Sequence, residues 1–142
     1  MSFKLSRRSL DRLEGIDDGL QAVVKMAITL TKTDFGVVQG MRTIEQQKEL
    51  VASGASQTMK SKHLDGKAFD IMAFVNGRAS WELNLYDDLA DAIKEAATNL
   101  HVPVCWGAAW AVPQKGYPMD IRKWEGTMEE AMNAYIDLRR SE

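Results

Sequence analysis

Ser61-Lys62-His63-Leu64-Asp65-Gly66-Lys67-Ala68-Phe69-Asp70 holds one of the chain's two histidines and sets a carboxylate at its far end. His63 lies in a polar loop rich in lysine and serine, whereas Asp70 falls in a run that reads as a strand, Ala68-Phe69-Asp70-Ile71-Met72-Ala73-Phe74. The loop must therefore fold back to carry the imidazole over the strand. Gly66 is the residue that permits the bend, since it tolerates backbone conformations closed to other residues. An acidic side chain inside an apolar strand is costly to bury unless it is paired or holds a cation. His63 and Asp70 together read as half of a metal site, and the other half must come from elsewhere.

Outward from this stretch, composition narrows the possibilities. The 142 residues, 45% of them hydrophobic, are enough for a single core, and residues 1–142 are expected to form one domain. A formal charge of −2 gives no electrostatic pull toward nucleic acid or an anionic membrane, so neither is expected as a partner. The single cysteine, Cys105, excludes an intrachain disulfide and suits a reducing compartment. No apolar run approaches the ~20 residues of a membrane span, and Met1 to Arg8 lack the apolar core of a signal peptide. Cytoplasmic residence is the expectation.

Periodicity supplies the elements. Ser6 to Leu13 predicts a short polar helix, and Asp17 opens a longer one whose stripe is Leu20, Val23, Val24, Ala27 and Leu30. Asp34 to Val38 reads as a strand, and Thr43-Ile44-Glu45-Gln46 as a capping box for a helix that stops at Gly54. Asn76-Gly77 predicts a hairpin turn with a return strand at Arg78 to Ser80. From about Leu85, Leu89, Ala90, Ile93, Ala96, Ala97 and Leu100 recur at helical spacing, predicting an amphipathic helix against the sheet. Val102 to Trp106 and, more weakly, Tyr117 to Ile121 read as strands. Gly126 to Glu130 opens the last helix with a second capping box, its inner face formed by Ala131, Met132, Tyr135 and Leu138. The sum is an α+β fold with a small, mainly antiparallel sheet.

The pattern Ser-x-His-x-x-Gly-x-Ala-x-Asp resembles the first half of the zinc site in the VanY-like D-alanyl-D-alanine carboxypeptidases, and specifically their phage endolysin branch, the L-alanyl-D-glutamate endopeptidases. The resemblance extends upstream through Ser6 to Gly15, Gly40-Met41-Arg42-Thr43 and Gln46 to Thr58, and downstream to Val102-Pro103-Val104-Cys105-Trp106-Gly107. It implies a Hedgehog/D,D-peptidase-like fold, with His63 and Asp70 as metal positions and Arg42, Gln57 and Ser61 in the substrate or partner cleft. Arg42 would steady an oxyanion or a substrate carboxylate, a task that suits its fixed fork of donors. Trp106 and Trp110 are expected to be packing residues. His101 is expected at a helix end.

In the family a second histidine completes the zinc site, and an acidic base stands three residues before it. Aligned on Trp106, Trp110 and Gly116, those positions hold Pro118 and Lys115. Proline offers no lone pair to a metal, and an ammonium cannot take a proton from a bound water. The expectation is a peptidase fold that has lost hydrolysis and works by binding, with a host or phage protein or the peptidoglycan stem peptide as partner, inside an infected bacterium. Two alternatives stand beside it. One is an active zinc endopeptidase in which Asp120 or Cys105 supplies the third ligand to His63 and Asp70. The other is a structural phage component.

Overall fold

Ser6 caps the short helix α1 (Arg7–Arg12) by accepting from the Ser9 N–H, as its place before a polar helical run predicts. The computed structural model describes residues 3–54, 66–113 and 118–140. Gln57, Ser61, His63 and Lys115 lie outside the described residues. Asp17 caps α2 (Asp18–Leu30) through the Leu20 N–H. Its buried stripe is Val23, Val24, Ala27 and Ile28; Leu30, expected inside, is exposed at the last turn.

The strands β1 (Asp34–Gln39), β2 (Asp70–Val75) and β3 (Arg78–Ser80) form an antiparallel sheet in the order β1-β2-β3. The β2–β3 hairpin turns at Asn76 and Gly77 with φ of 52° and 78°, the doubly positive signature that the Asn-Gly pair predicts. Phe35 opposes Ala73 and Val37 opposes Ile71, which places these side chains on one face, against the core. Leu89, Ile93, Ala96 and Ala97 of α4 (Leu83–Leu100) meet α2 in the same core. Tyr86 ties α4 to the sheet, its hydroxyl accepting from the Ala73 N–H and donating to the Ser80 carbonyl.

The outer edge of β1 is closed by α1. Val37 donates its N–H to the buried Ser9 hydroxyl at 2.9 Å, and its carbonyl accepts from Arg12 Nη1 at 3.0 Å. Two side chains thus satisfy an edge that would otherwise invite another strand. The chain then passes so close to α1 that a Cβ at Gly40 would stand 1.9 Å from the Arg12 carbonyl oxygen. After this crossing, α3 (Ile44–Ala52) starts with the expected reciprocal capping box between Thr43 and Gln46.

Two expectations are corrected in the second half of the chain. Val102 to Trp106 forms no strand, and Pro118 to Asp120 leads into a 3-10 turn, Ile121–Lys123, instead of a strand. These segments do lie side by side, because the Ile121 N–H donates to the Val104 carbonyl at 2.8 Å. The return bond of a ladder is replaced, however: the Val104 N–H reaches the Asp120 carboxylate at 3.5 Å instead of a backbone carbonyl. α5 (Met128–Arg140) opens with the second capping box, Thr127 and Glu130 bonding reciprocally. Ala131 and Met132 are buried, with Tyr135 and Leu138 half-buried against the core.

Candidate functional site

Gly66 closes the polar loop in the way the sequence suggests. Its φ is +68°, and a Cβ there would come within 2.3 Å of the Gly15 carbonyl oxygen. Its own carbonyl accepts the Asp17 N–H at 2.8 Å, so the end of the loop is anchored to the start of α2. From that anchor the chain runs through Lys67, Ala68 and Phe69 to Asp70, all of which line a cavity of about 690 Å³. That volume lies in the range of pockets that take a small ligand or a short peptide segment.

The strand begins at Asp70 and not at Ala68, and Asp70 is exposed. It is therefore not a buried acid within an apolar strand, and burial gives it no need of a cation. A register irregularity sets its position: Val37 opposes Ile71, Gln39 opposes Asp70, and Val38 between them has no partner. Such bulges bend a strand and re-aim its side chains. Gln39, opposite Asp70, accepts from Arg42 Nη2 at 2.8 Å, while Arg42 Nη1 donates to the fully buried Gln47 at 2.6 Å. Arg42 is thereby fixed beside the Asp70 end of the sheet, although it is not among the residues lining the cavity.

Val102 to Gly107 and Trp110 line the same cavity. Trp106 packs on the core, as expected, and also lines the cavity. Tyr86, Ile93 and Ile121 line it too. Tyr86 was not singled out from sequence; its only signal there is a phenol within an amphipathic helix. Cys105 is exposed and lines the same cavity as Asp70. His101 lies apart, exposed, as the left-handed C-cap of α4 with φ 58°.

Asp120 is differently placed. Its carboxylate accepts from Arg122 Nε at 2.8 Å and Arg122 Nη2 at 2.6 Å, and from the backbone N–H of Arg122 at 3.1 Å. Burial opposes its charge, but these bonds and the Val104 N–H outweigh it and hold the carboxyl below the ordinary carboxylate range. Both oxygens are thus committed to the turn that Asp120 itself caps. Pro118 is exposed and offers no donor.

A zinc ion would need three or four nitrogen, sulfur or oxygen donors converging at about 2.0–2.3 Å. Among the described residues no group of three His, Cys, Asp or Glu side chains is arranged to hold a metal ion. Asp17, Asp70 and Cys105 line the same cavity but are not arranged as such a group, and His63 lies outside the described residues. The described donor set does not make a zinc centre by itself. What it does make is a largely apolar cleft lined by aromatic residues and by the charged Asp17, Lys67 and Asp70.

Comparison with known proteins adds an independent line. A family model described as phage L-alanyl-D-glutamate peptidase matches residues 1–129. The L-alanyl-D-glutamate peptidase of Escherichia phage T5 is 34% identical over 114 residues, covering 78% of this chain and 83% of the relative. That of Listeria phage A118 is 28% identical over 107 residues, covering 73% of this chain but 37% of the relative. The crystal structure of the Serratia marcescens L-Ala D-Glu endopeptidase ChiX superposes with a TM-score of 0.73 at 32% identity, covering 85% of this chain and 92% of that one.

Proposed function

Because this chain belongs to the phage L-alanyl-D-glutamate peptidase family, we propose that its cleft receives the stem peptide of peptidoglycan and binds it without hydrolysing it. The observation that carries the reading is the state of Asp120. The segment expected to complete the metal site offers Pro118, which has no donor, and Asp120, whose oxygens are engaged by Arg122. In this reading the base is replaced as well, by the Lys115 that matching on Trp106, Trp110 and Gly116 sets at its position. Binding needs neither group. The apolar walls bury the alanyl methyl and the backbone, and the polar residues at the rim orient them.

Titration calorimetry with a synthetic L-alanyl-γ-D-glutamyl-L-lysine tripeptide, with and without zinc, tests this. The expected result is saturable binding that zinc does not alter. Heat that appears only with zinc, and is lost in His63→Ala, would favour the second reading.

That second reading is an active zinc endopeptidase with His63, Asp70 and Cys105 as ligands. It is favoured by one observation, that Cys105 lines the cavity that Asp70 borders. A thiolate is a common zinc ligand, and its engagement would show as zinc-dependent protection of Cys105 from alkylation.

A further inference from the structure

We propose that Lys67 reads the free carboxylate of the glutamyl residue in the bound stem peptide, so that the cleft selects an acid at that position over an amide. The inference rests on the stem-peptide reading and narrows its ligand. A glutamyl residue joined to alanine through its amine carries two carboxyl groups, only one of which continues the chain. The other remains a carboxylate unless it is amidated. Any cleft that receives this residue must place a charge or exclude it.

Three charged side chains among the described residues line the cavity: Asp17, Lys67 and Asp70. The two aspartates repel a carboxylate, and Asp17 is already used as the cap of α2. Lys67 is the one cation of that described lining. It is exposed, and neither a hydrogen bond nor an ion pair to another described residue claims its ammonium. Arg42 does not line the cavity, and its guanidinium is held by Gln39 and Gln47.

Placement supports the assignment. The peptide just before Lys67 is fixed by the bond from the Asp17 N–H to the Gly66 carbonyl and by the close approach of Gly66 to Gly15. The root of the side chain is therefore held at the cleft wall, while its four-carbon stem is free to reach a ligand. Phe69, Ile71 and Trp106, which line the same cavity, exclude water as a peptide enters, and a charge pair gains strength in that setting.

The test compares L-alanyl-γ-D-glutamyl-L-lysine with its glutamyl α-carboxamide by titration calorimetry at low salt. The wild-type chain, Lys67→Gln and Lys67→Arg are measured, each shown to be folded by its melting curve. The expected result is a roughly 5-fold preference of the wild type for the acid, kept by Lys67→Arg and abolished by Lys67→Gln through weaker binding of the acid alone. The preference should also shrink in added salt. Equal affinity of the wild type for both peptides, a comparison that needs no variant, would overturn the role of Lys67 and leave the stem-peptide reading standing. Equal weakening of both peptides by Lys67→Gln would overturn that role in the same way. Failure of the wild type to bind either peptide overturns both.

Discussion

Arg122 grips both carboxylate oxygens of Asp120, the Nη2 to Oδ2 distance being 2.6 Å, two residues apart at the mouth of a 3-10 turn. The pair holds the turn against Val104, because the same carboxylate also takes the Val104 N–H. Arg122→Ala should lower the melting temperature at neutral pH. Asp120 has a folded-state pKa below its unfolded one, so its contribution is present above the unfolded value and is lost as pH falls through the folded value. The wild-type and variant melting curves should therefore converge in acid. Parallel curves across pH 2 to 7, on the order of several units, would show that the pair contributes through packing alone.

Asp87 has the opposite sign. It is buried in α4, and its Oδ1 has no hydrogen-bond partner among the described residues. Burial first, then repulsion from Glu129, Asp91 and Asp88, raises its pKa. The neutral acid is the form the fold accepts, so stability is greatest below the unfolded pKa and falls as pH rises through the folded value. Asp87→Asn should stabilise the chain by about 1 kcal/mol at pH 7, or roughly 3 °C. That gain should vanish in acid, where Asp87 is protonated in both states. A pH-independent gain would count against this account.

Ser9 satisfies an edge-strand N–H from within the core. Ser9→Ala would strand the Val37 N–H without an acceptor, at a cost of about 1–2 kcal/mol. Hydrogen exchange distinguishes this from a general loosening: the Val37 amide should lose protection more than its neighbours in β1. Uniform loss across the strand would contradict the assignment.

Gly40 is held by space. The nearest obstacle to a Cβ is the Arg12 backbone carbonyl, which cannot rotate away as a side chain would. Gly40→Ala should cost roughly 3 kcal/mol, a fall of about 10 °C in melting temperature. A change within a degree or two, about the noise of a surface substitution, would mean that α1 and the chain after β1 separate easily.

Much of this architecture could be read from local signals. Both capping boxes, the Asn76-Gly77 hairpin and the helical stripes depend on near neighbours in sequence, and apart from the exposed Leu30 they appear where the residues place them. The Val102 to Trp106 strand failed for a non-local reason: its partner segment answers with the Asp120 side chain where a ladder needs a backbone carbonyl. The same contact explains why Asp120 looked available as a ligand, since an Asp-x-Arg spacing does not announce that the pair will close on itself. Asp70 was placed too deep because the apolar run around it gives no sign of the bulge at Val38 in the neighbouring strand. Lys67 read as one more charge in a basic loop, and only the anchoring of Gly66 to Asp17 brings it to the cleft.

The most direct test of binding without hydrolysis is product analysis. The chain is incubated with L-alanyl-γ-D-glutamyl-L-lysine and zinc, and mass spectrometry follows release of alanine, with the phage T5 relative as the positive control. The account predicts intact tripeptide with this chain under conditions where the relative consumes it, and binding of the same peptide by calorimetry. Zinc-dependent release of alanine, abolished in His63→Ala, would contradict it and establish the active endopeptidase.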